Sequence, residues 1–522
     1  MSTVKPESSG SQGAAAASPH LKRSLGNRHL QMIAIGGAIG TGLFNGSGKT
    51  IHLAGPSILL VYVIIGFFLY FVMRAIGEML LSNLEFKSFR DIIETHLGSW
   101  AGFFSGWTYW LCWIVIGLAD MTAVTNYVLW WFPDCPKFVP ALALMVLLFA
   151  LNVVAVRLFG EIEFWFALIK VIAIIALILV AVGMIVIGFH SDLESLFGAH
   201  RQGMLDAARQ AVAAGQDVAA NQAIVNELQG VRDTLGSAYP DGAKASLMNI
   251  LNLNGGGFSP NGFGGFLGGF QIAFFAFVGI ELVGTAAAEA KNPETALPKA
   301  IRAIPVRVVL FYVFALSAIL SVTPYLAVDP DYSPFVNMFA LTGLGIAASV
   351  INFVVLTSAA SSMNSGIYST SRMLFGLAGT KLAPRLFGRL SKSSVPANAL
   401  IFSCLCVLPG IALLYASDSI MDAFTYATSA ANVLFIFVWT LVLVAYLRYR
   451  RTVPKLHEVS KFKMPWGVPM SWIVMVFFVI MLVILCLDRT TFIGAITTLI
   501  WFAVLGVAYA LHVRYEKRHT QV

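Results

Sequence analysis

The sequence predicts an all-α polytopic membrane protein with twelve transmembrane helices. Three observations carry that prediction. Of the 522 residues, 58% are hydrophobic and only 11% charged, against about 25% charged in a soluble domain. Uncharged runs of the length a bilayer demands, about 20 residues, recur from one end of the chain to the other. Two of those runs, five apart, are interrupted by glycines, as in carriers built from an inverted repeat with broken helices.

Residues 1–28 are polar, rich in Ser, Ala and Gly, and end in Lys22, Arg23 and Arg28. They read as a disordered cytoplasmic tail. No short apolar core with a cleavage site precedes the first span, so a signal peptide is not expected. The apolar runs then fall near 30–50, 57–81, 102–131, 138–156, 162–188, 262–288, 304–326, 338–377, 397–415, 420–446, 467–487 and 491–513. Alternate loops carry the cations: Lys87 and Arg90; Arg157; Lys291, Lys299 and Arg302; Lys381, Arg385, Arg389 and Lys392; and Arg448 to Lys463. The positive-inside rule puts those loops and both termini in the cytoplasm. The net charge of +8 thus belongs to membrane topology and does not point to nucleic acid. The expected cellular place is a bacterial inner membrane.

The long loop at 189–261 lies on the outer side in this scheme. Leu205, Ala208 and Val212, then Ile224, Leu228 and Val231, recur at helical spacing. One or two amphipathic helices are expected, with Gly215 and Asp217 at a turn between them. Arg201, Arg209 and Arg232 do not disturb the topology, because long loops cross largely regardless of charge. The domains are then 1–28, a first repeat at 29–188, the outer segment 189–261, a second repeat at 262–446, two further spans at 447–515 and a tail at 516–522.

The first interruption reads Gly36-Gly37-Ala38-Ile39-Gly40-Thr41-Gly42. Each glycine costs about 1 kcal/mol against alanine inside a helix. Opened backbone is tolerated at membrane depth only where it lines a cavity. The second, in span 6, places Gly279 and Gly284 about the carboxylate of Glu281. Five scattered cysteines show no metal or redox spacing, and no G-x-x-x-x-G-K-[ST] run marks a nucleotide site. Neither cofactor nor metal is expected, and secondary transport fits better than an enzyme. Arg74 and Glu78, one turn apart, read as an ion pair on a helix surface.

At both interruptions the sequence resembles the bacterial amino-acid permeases of the amino acid–polyamine–organocation superfamily. GGAIGTGLF (36–44), EFWFALIK (163–170), FFAFVGIELVG (274–284), EAKNPETALPKAI (289–301) and NSGIYSTSRMLFGLA (364–378) carry the likeness, which extends over about 22–515. GSGKTIHLAGPS (46–57), GWTYWLCWIVIGLAD (106–120), VTPYLAVDP (322–330) and HEVSKFKMPWG (457–467) narrow it to members that move small neutral amino acids. The outer segment departs from the family, being far longer than the equivalent loop. The resemblance implies a leucine-transporter-like 5+5 inverted repeat with helices 1 and 6 broken. It also implies proton-coupled import of D-alanine, D-serine and glycine, with GABA, proline or an aromatic amino acid as the alternative. A receptor that binds an amino acid without moving it is a more distant alternative.

An amino-acid zwitterion needs donors at one end and acceptors at the other, and a broken helix supplies both. Carried onto this sequence, the resemblance gives the amides of Thr41 and Gly42, with the Thr41 hydroxyl, to the carboxylate. It gives the carbonyls of Ala38, Phe275 and Val278 to the ammonium. Thr41 read locally would instead bond its own backbone. Phe275 or Phe277 would line or lid the pocket, or else simply pack. Three ionisable residues lie deep in spans, where charge marks function by default. Lys170 resembles the family lysine that stands where sodium-coupled relatives hold an ion. It reads as the proton-coupling group or as a strut between spans 1 and 5. Glu281 reads as a proton carrier, an inner gate or a helix cap. Asp120 reads as a selectivity or coupling residue or a structural hydrogen-bond partner. The partners implied are the amino acid and the lipid bilayer.

Overall fold

Apolar side chains on every face of a helix leave it nowhere to sit but in a core or in lipid. The helices of this chain show both environments. Leu179, Val186, Ile346, Leu499 and Val507 are exposed on the outside of the bundle, whereas Asp120, Glu163, Lys170 and Glu281 are fully or almost fully buried within it. A computed structural model describes residues 39–86, 88–154, 156–286, 292–343, 345–391, 395–417 and 419–520. Gly36, Gly37, Ala38 and the expected tail at 1–28 lie outside the described residues.

Ten helices among the described residues are long and apolar enough to cross a membrane, which makes this a multi-pass membrane protein. Two of the twelve predicted spans are not counted separately: the first begins in residues outside those described, and the fourth is short. One crossing-length stretch runs Gly46–Ser82, but Gly55 turns it sharply with φ of 60°. Helix Gly46–Ala54 therefore ends there, and helix Ile58–Ser82 starts after the turn. A side chain at Gly55 would meet the Pro260 ring at 2.5 Å. The fourth predicted span is helix Phe138–Val154 at 17 residues, just short of a perpendicular crossing.

The centre of the bundle is helix Ser99–Trp131 packed against Gly345–Gly379 and Ile420–Thr452. Helices Gly467–Leu487 and Arg489–Thr520 pack on its flank and keep broad apolar faces outward, Trp472, Val479 and Leu499 among them. Close backbone approach replaces side-chain packing at Gly494, where a Cβ would meet the Ala430 nitrogen at 2.7 Å.

The long segment after helix Val156–Val186 forms a helical hairpin, Ala199–Ala213 and Val218–Ala238. Gly215 and Asp217 both take positive φ, 71° and 38°, at its turn. Leu196, Phe197, Leu205, Leu228 and Leu235 form a small core of their own beneath it. A two-stranded antiparallel pair, His190–Ser191 with Ala243–Lys244, closes the base.

The expected ion pair between Arg74 and Glu78 is corrected. Both side chains are buried and both turn to the loop after helix 420–452 instead. The Glu78 carboxylate accepts from the Met464 amide at 2.7 Å and the Tyr446 hydroxyl at 3.0 Å, and meets His457 Nδ1. Arg74 donates to the Lys463 carbonyl and stacks 3.8 Å above Phe462. A buried carboxylate gains more from three convergent donors than from one neighbour along its own helix. Glu78→Ala leaves those donors buried and unpaired, at a cost of roughly 2–5 kcal/mol. We expect a clear fall in the melting temperature of the detergent-solubilised protein, with Glu78→Gln falling less.

Candidate functional site

Thr41 opens a helix in the middle of the protein. Its N-cap, Gly40, is extended at φ −122° and ψ −168°, and the chain coils from Thr41 through Phe44 and on to Ala54. The first amides of such a helix have no partner one turn back within it. The crossing-length stretch Gly262–Gly284 is interrupted as well. Helix Gly262–Ala273 gives way to a tight turn at Phe275–Phe277. Val278 is then extended, Gly279 has φ of 101°, and coiling resumes at Leu282–Ala286.

The helix start at Thr41 and the interruption at 274–281 touch. A Cβ on Gly42 would lie 2.5 Å from the Ala276 Cα and 2.7 Å from its nitrogen. Only glycine allows that approach, because backbone cannot swing aside as a side chain can. Around the contact lies a cavity of about 20 Å3, room for a water molecule. Gly40, Thr41 and Gly42 line one wall, Phe275, Ala276 and Val278 another, with Trp113, Ile116, Glu163, Leu282, Ser362 and Ser365 completing it.

Of the sequence-predicted residues, Thr41, Gly42, Phe275 and Val278 meet at this cavity. Ala38 lies outside the described residues. Of the two aromatics weighed for lining it, Phe275 does and Phe277 takes the packing alternative. The turn sends its ring to the opposite side, where it stacks on Tyr312 at 4.9 Å and lies 5.9 Å from Tyr62. Tyr312 also donates to the Ala276 carbonyl at 2.7 Å and so pins the turn from behind. The Phe275 carbonyl accepts from the Val278 amide at 3.0 Å, keeping one lone pair for another donor.

The buried charges fall into three groups. The Thr41 hydroxyl donates to Asp120 at 2.8 Å, so that hydroxyl is engaged by a carboxylate in this structure. Glu281 accepts from the Gly279 amide at 3.1 Å and from Tyr109 at 3.2 Å, holding the helix interruption open. Lys170 donates to the Ser361 hydroxyl at 3.1 Å, and Ser361 donates on to Glu163 at 2.9 Å. Asp120, Lys170 and Glu281 thus stand behind the cavity wall, while Glu163 is on it.

Sequence reading missed Glu163, Trp113 and the serines. Glu163 sits seven residues before Lys170, two turns along one helix face. That spacing was a usable signal, since an acid and a base deep in one span tend to share a partner. Trp113 gave none, being one of many aromatics in an apolar run; its Nε1 is buried without a partner.

One end of the site is sealed by several contacts. Lys49 pairs with Asp422 at 3.4 Å and donates to Thr425 at 3.2 Å. The Phe44 and Phe335 rings meet edge to face at 4.8 Å. Asn126 donates to the Asp331 carbonyl at 3.0 Å.

A small cavity where the start of one membrane helix meets the interruption of another suits the working centre of a solute carrier. The family model "Amino acid permease" matches residues 29–213 and 235–522. The chain belongs to the amino acid permease family, and it is a transporter, not an enzyme. It is 52% identical to the D-serine/D-alanine/glycine transporter of Escherichia coli (strain K12) over 95% of each chain. It is 44% identical to the amino-acid permease AapA of Bacillus subtilis (strain 168), over 95% of this chain and 96% of that one. It is 38% identical to the DL-alanine permease SerP2 of Lactococcus lactis subsp. cremoris (strain MG1363), over 93% and 94%.

Gly42→Ala is expected to force the two interruptions apart. Overpacking against backbone costs about 1–3 kcal/mol, so substrate affinity should fall about 5- to 150-fold with the protein still inserted. Gly376→Ala, where a side chain meets open space, is the matching control. Equilibrium binding of labelled substrate to both variants checks this.

Proposed function

We propose that the chain imports small neutral amino acids, D-alanine, D-serine and glycine foremost, by proton-coupled secondary transport with alternating access. The observation that carries this reading is the contact of Gly42 on Ala276, which brings helix-start amides and the carbonyls of a broken helix to one small cavity. The Thr41 and Gly42 amides receive the carboxylate, and the Phe275 and Val278 carbonyls the ammonium. Recognition of that common head by backbone leaves the cavity size to select the side chain. Little space remains beyond a β-carbon, which favours glycine, alanine and serine and discriminates weakly by handedness. The printed names of the relatives, with D-serine, D-alanine, glycine and DL-alanine among them, point the same way.

The proton is the coupling ion in this reading. Lys170, Ser361 and Glu163 form a hydrogen-bonded line from the interior of helix 156–186 to the cavity wall. A proton shared along it is felt at the substrate site. One charge crossing 100 mV releases about 2.3 kcal/mol, enough to hold a gradient of roughly fortyfold for one neutral zwitterion.

The architecture inferred is twelve spans, the first ten as a 5+5 inverted repeat. Both termini are cytoplasmic, the hairpin is outside, and the membrane is the bacterial inner membrane. The alternation of Lys- and Arg-rich loops supports that orientation.

Uptake of labelled D-alanine into cells, competed by unlabelled D-serine, glycine, GABA, proline and phenylalanine with and without a protonophore, tests substrate and coupling together. We expect D-serine and glycine to compete, the others not, and the protonophore to abolish accumulation. Failure of D-serine and glycine to compete overturns the substrate assignment. Lys170→Ala is expected to retain exchange across proteoliposomes and lose accumulation under an imposed proton gradient; full accumulation removes Lys170 from coupling.

A further inference from the structure

The hairpin at 199–238 contains residues 214–234, the one internal stretch outside the family match. Its first helix carries a buried arginine that serves no contact within the hairpin's own small core. Arg201 reaches instead into the loop between helices Ile304–Val322 and Pro334–Ala340. It donates to the Ala327 carbonyl at 3.2 Å and the Val328 carbonyl at 2.9 Å, and its Nε stands 3.6 Å from the Asp329 carboxylate. His200 adds a contact to the same carboxylate at 3.2 Å and lies against the Tyr332 ring at 4.0 Å. Ala327 is also a member of the hairpin's apolar cluster.

That loop packs onto the helix that begins at the cavity. The Tyr332 and Asp329 carbonyls lie on Gly48, where a Cβ would meet them at 2.6 and 2.7 Å. Gly48 is on the same helix as Thr41 and Gly42, two turns further on. A continuous chain of contacts thus runs from the hairpin through Arg201 and the loop to the helix that begins at the cavity. Burial lifts the Asp329 carboxyl, but the hydrogen bond from His200 and the charge of Arg201 outweigh it and leave it below the usual carboxylate range. The ion pair is therefore present at neutral pH.

We propose that the loop 323–333 is a lid, that Arg201 is its positioning residue, and that the hairpin clamps the loop onto the half-helix 41–54 and so sets how readily that side of the site opens. The inference rests on the transport reading above, since a lid has meaning only over a site that alternates.

A reporter cysteine at Ser47, fully buried on the half-helix beneath the loop, reads opening directly. It is placed in a background in which Cys112, Cys135, Cys404, Cys406 and Cys486 are replaced. Whole cells are labelled with a membrane-impermeant maleimide. Arg201→Ala should raise the labelling rate at least about fivefold, the lower bound of an ordinary coupling between sites. Arg201→Lys keeps the charge but not the fork of donors and should raise it less. Asp329→Asn keeps the shape of the loop and should also raise it, which decides the matter even where Arg201→Ala folds poorly. Unchanged labelling in Asp329→Asn and Arg201→Lys, with D-alanine exchange intact, overturns the clamp. Absence of D-alanine exchange in the unaltered protein overturns the transport reading instead, while the labelling rates still report on the lid.

Discussion

Everything about the site depends on two stretches of bare backbone being pressed together. At Gly42 and Ala276 no side chain separates the chains. The contact fixes the start of one helix against the turn of another, which is what brings opposite partial charges within the length of a small zwitterion. It also closes the cavity to about the size of a water molecule. In the binding mode proposed above, a substrate parts these walls to be held by them, so binding and conformational change are one event. Tyr312, donating to the Ala276 carbonyl from the far side, keeps the turn from collapsing into the space.

Each moving part carries its own buried acid. Asp120 is tied to Thr41 at the first interruption, Glu281 to Gly279 at the second, and Glu163 to Ser361 beside Lys170. Charge buried without a partner is costly, and these groups are held by hydrogen bonds that depend on the helices staying broken. Straightening helix 262–286 would take the Gly279 amide away from Glu281. The acids thus help to stabilise the interruption as well as being buried in it. Glycine alone permits a break and does not hold one open.

How much of this was legible follows from what each signal measures. Hydropathy marks lipid-length runs, so the spans could be read, and glycine with an acid inside such a run marks an interruption. The boundary between the first two runs was legible too, since the gap between 50 and 57 holds Gly55 and Pro56, and the helix turns there. Which aromatic faces the cavity was hidden. Phe275 and Phe277 are two apart, and only the tight turn that replaces α-helix there puts them on opposite sides. The Arg74–Glu78 pairing failed for a related reason: spacing along a helix predicts neighbours, and a loop 380-odd residues later supplied better ones. Glu163 was overlooked although its spacing to Lys170 announced a shared face.

Loops toward the two ends of the bundle are held by the same device, a buried arginine donating to backbone carbonyls. Helix 58–82 begins beside the turn at Gly55 and Pro260 and carries Glu78 roughly 30 Å further along. At that far end the buried Arg74 donates to a loop carbonyl, and at the near end the buried Arg201 donates to two. Carbonyl acceptors make a loop hold its shape whatever its side chains are. Arginine suits the task because its fork of donors can satisfy adjacent carbonyls and it does not lose its charge. Each charge-assisted bond is worth about 1.5–3 kcal/mol, so either closure can be broken by a few kcal/mol. That is the scale of binding energy a small amino acid supplies, since a millimolar ligand already contributes about 4 kcal/mol. Closures much stronger than this would lock the carrier, and much weaker ones would let both sides open at once.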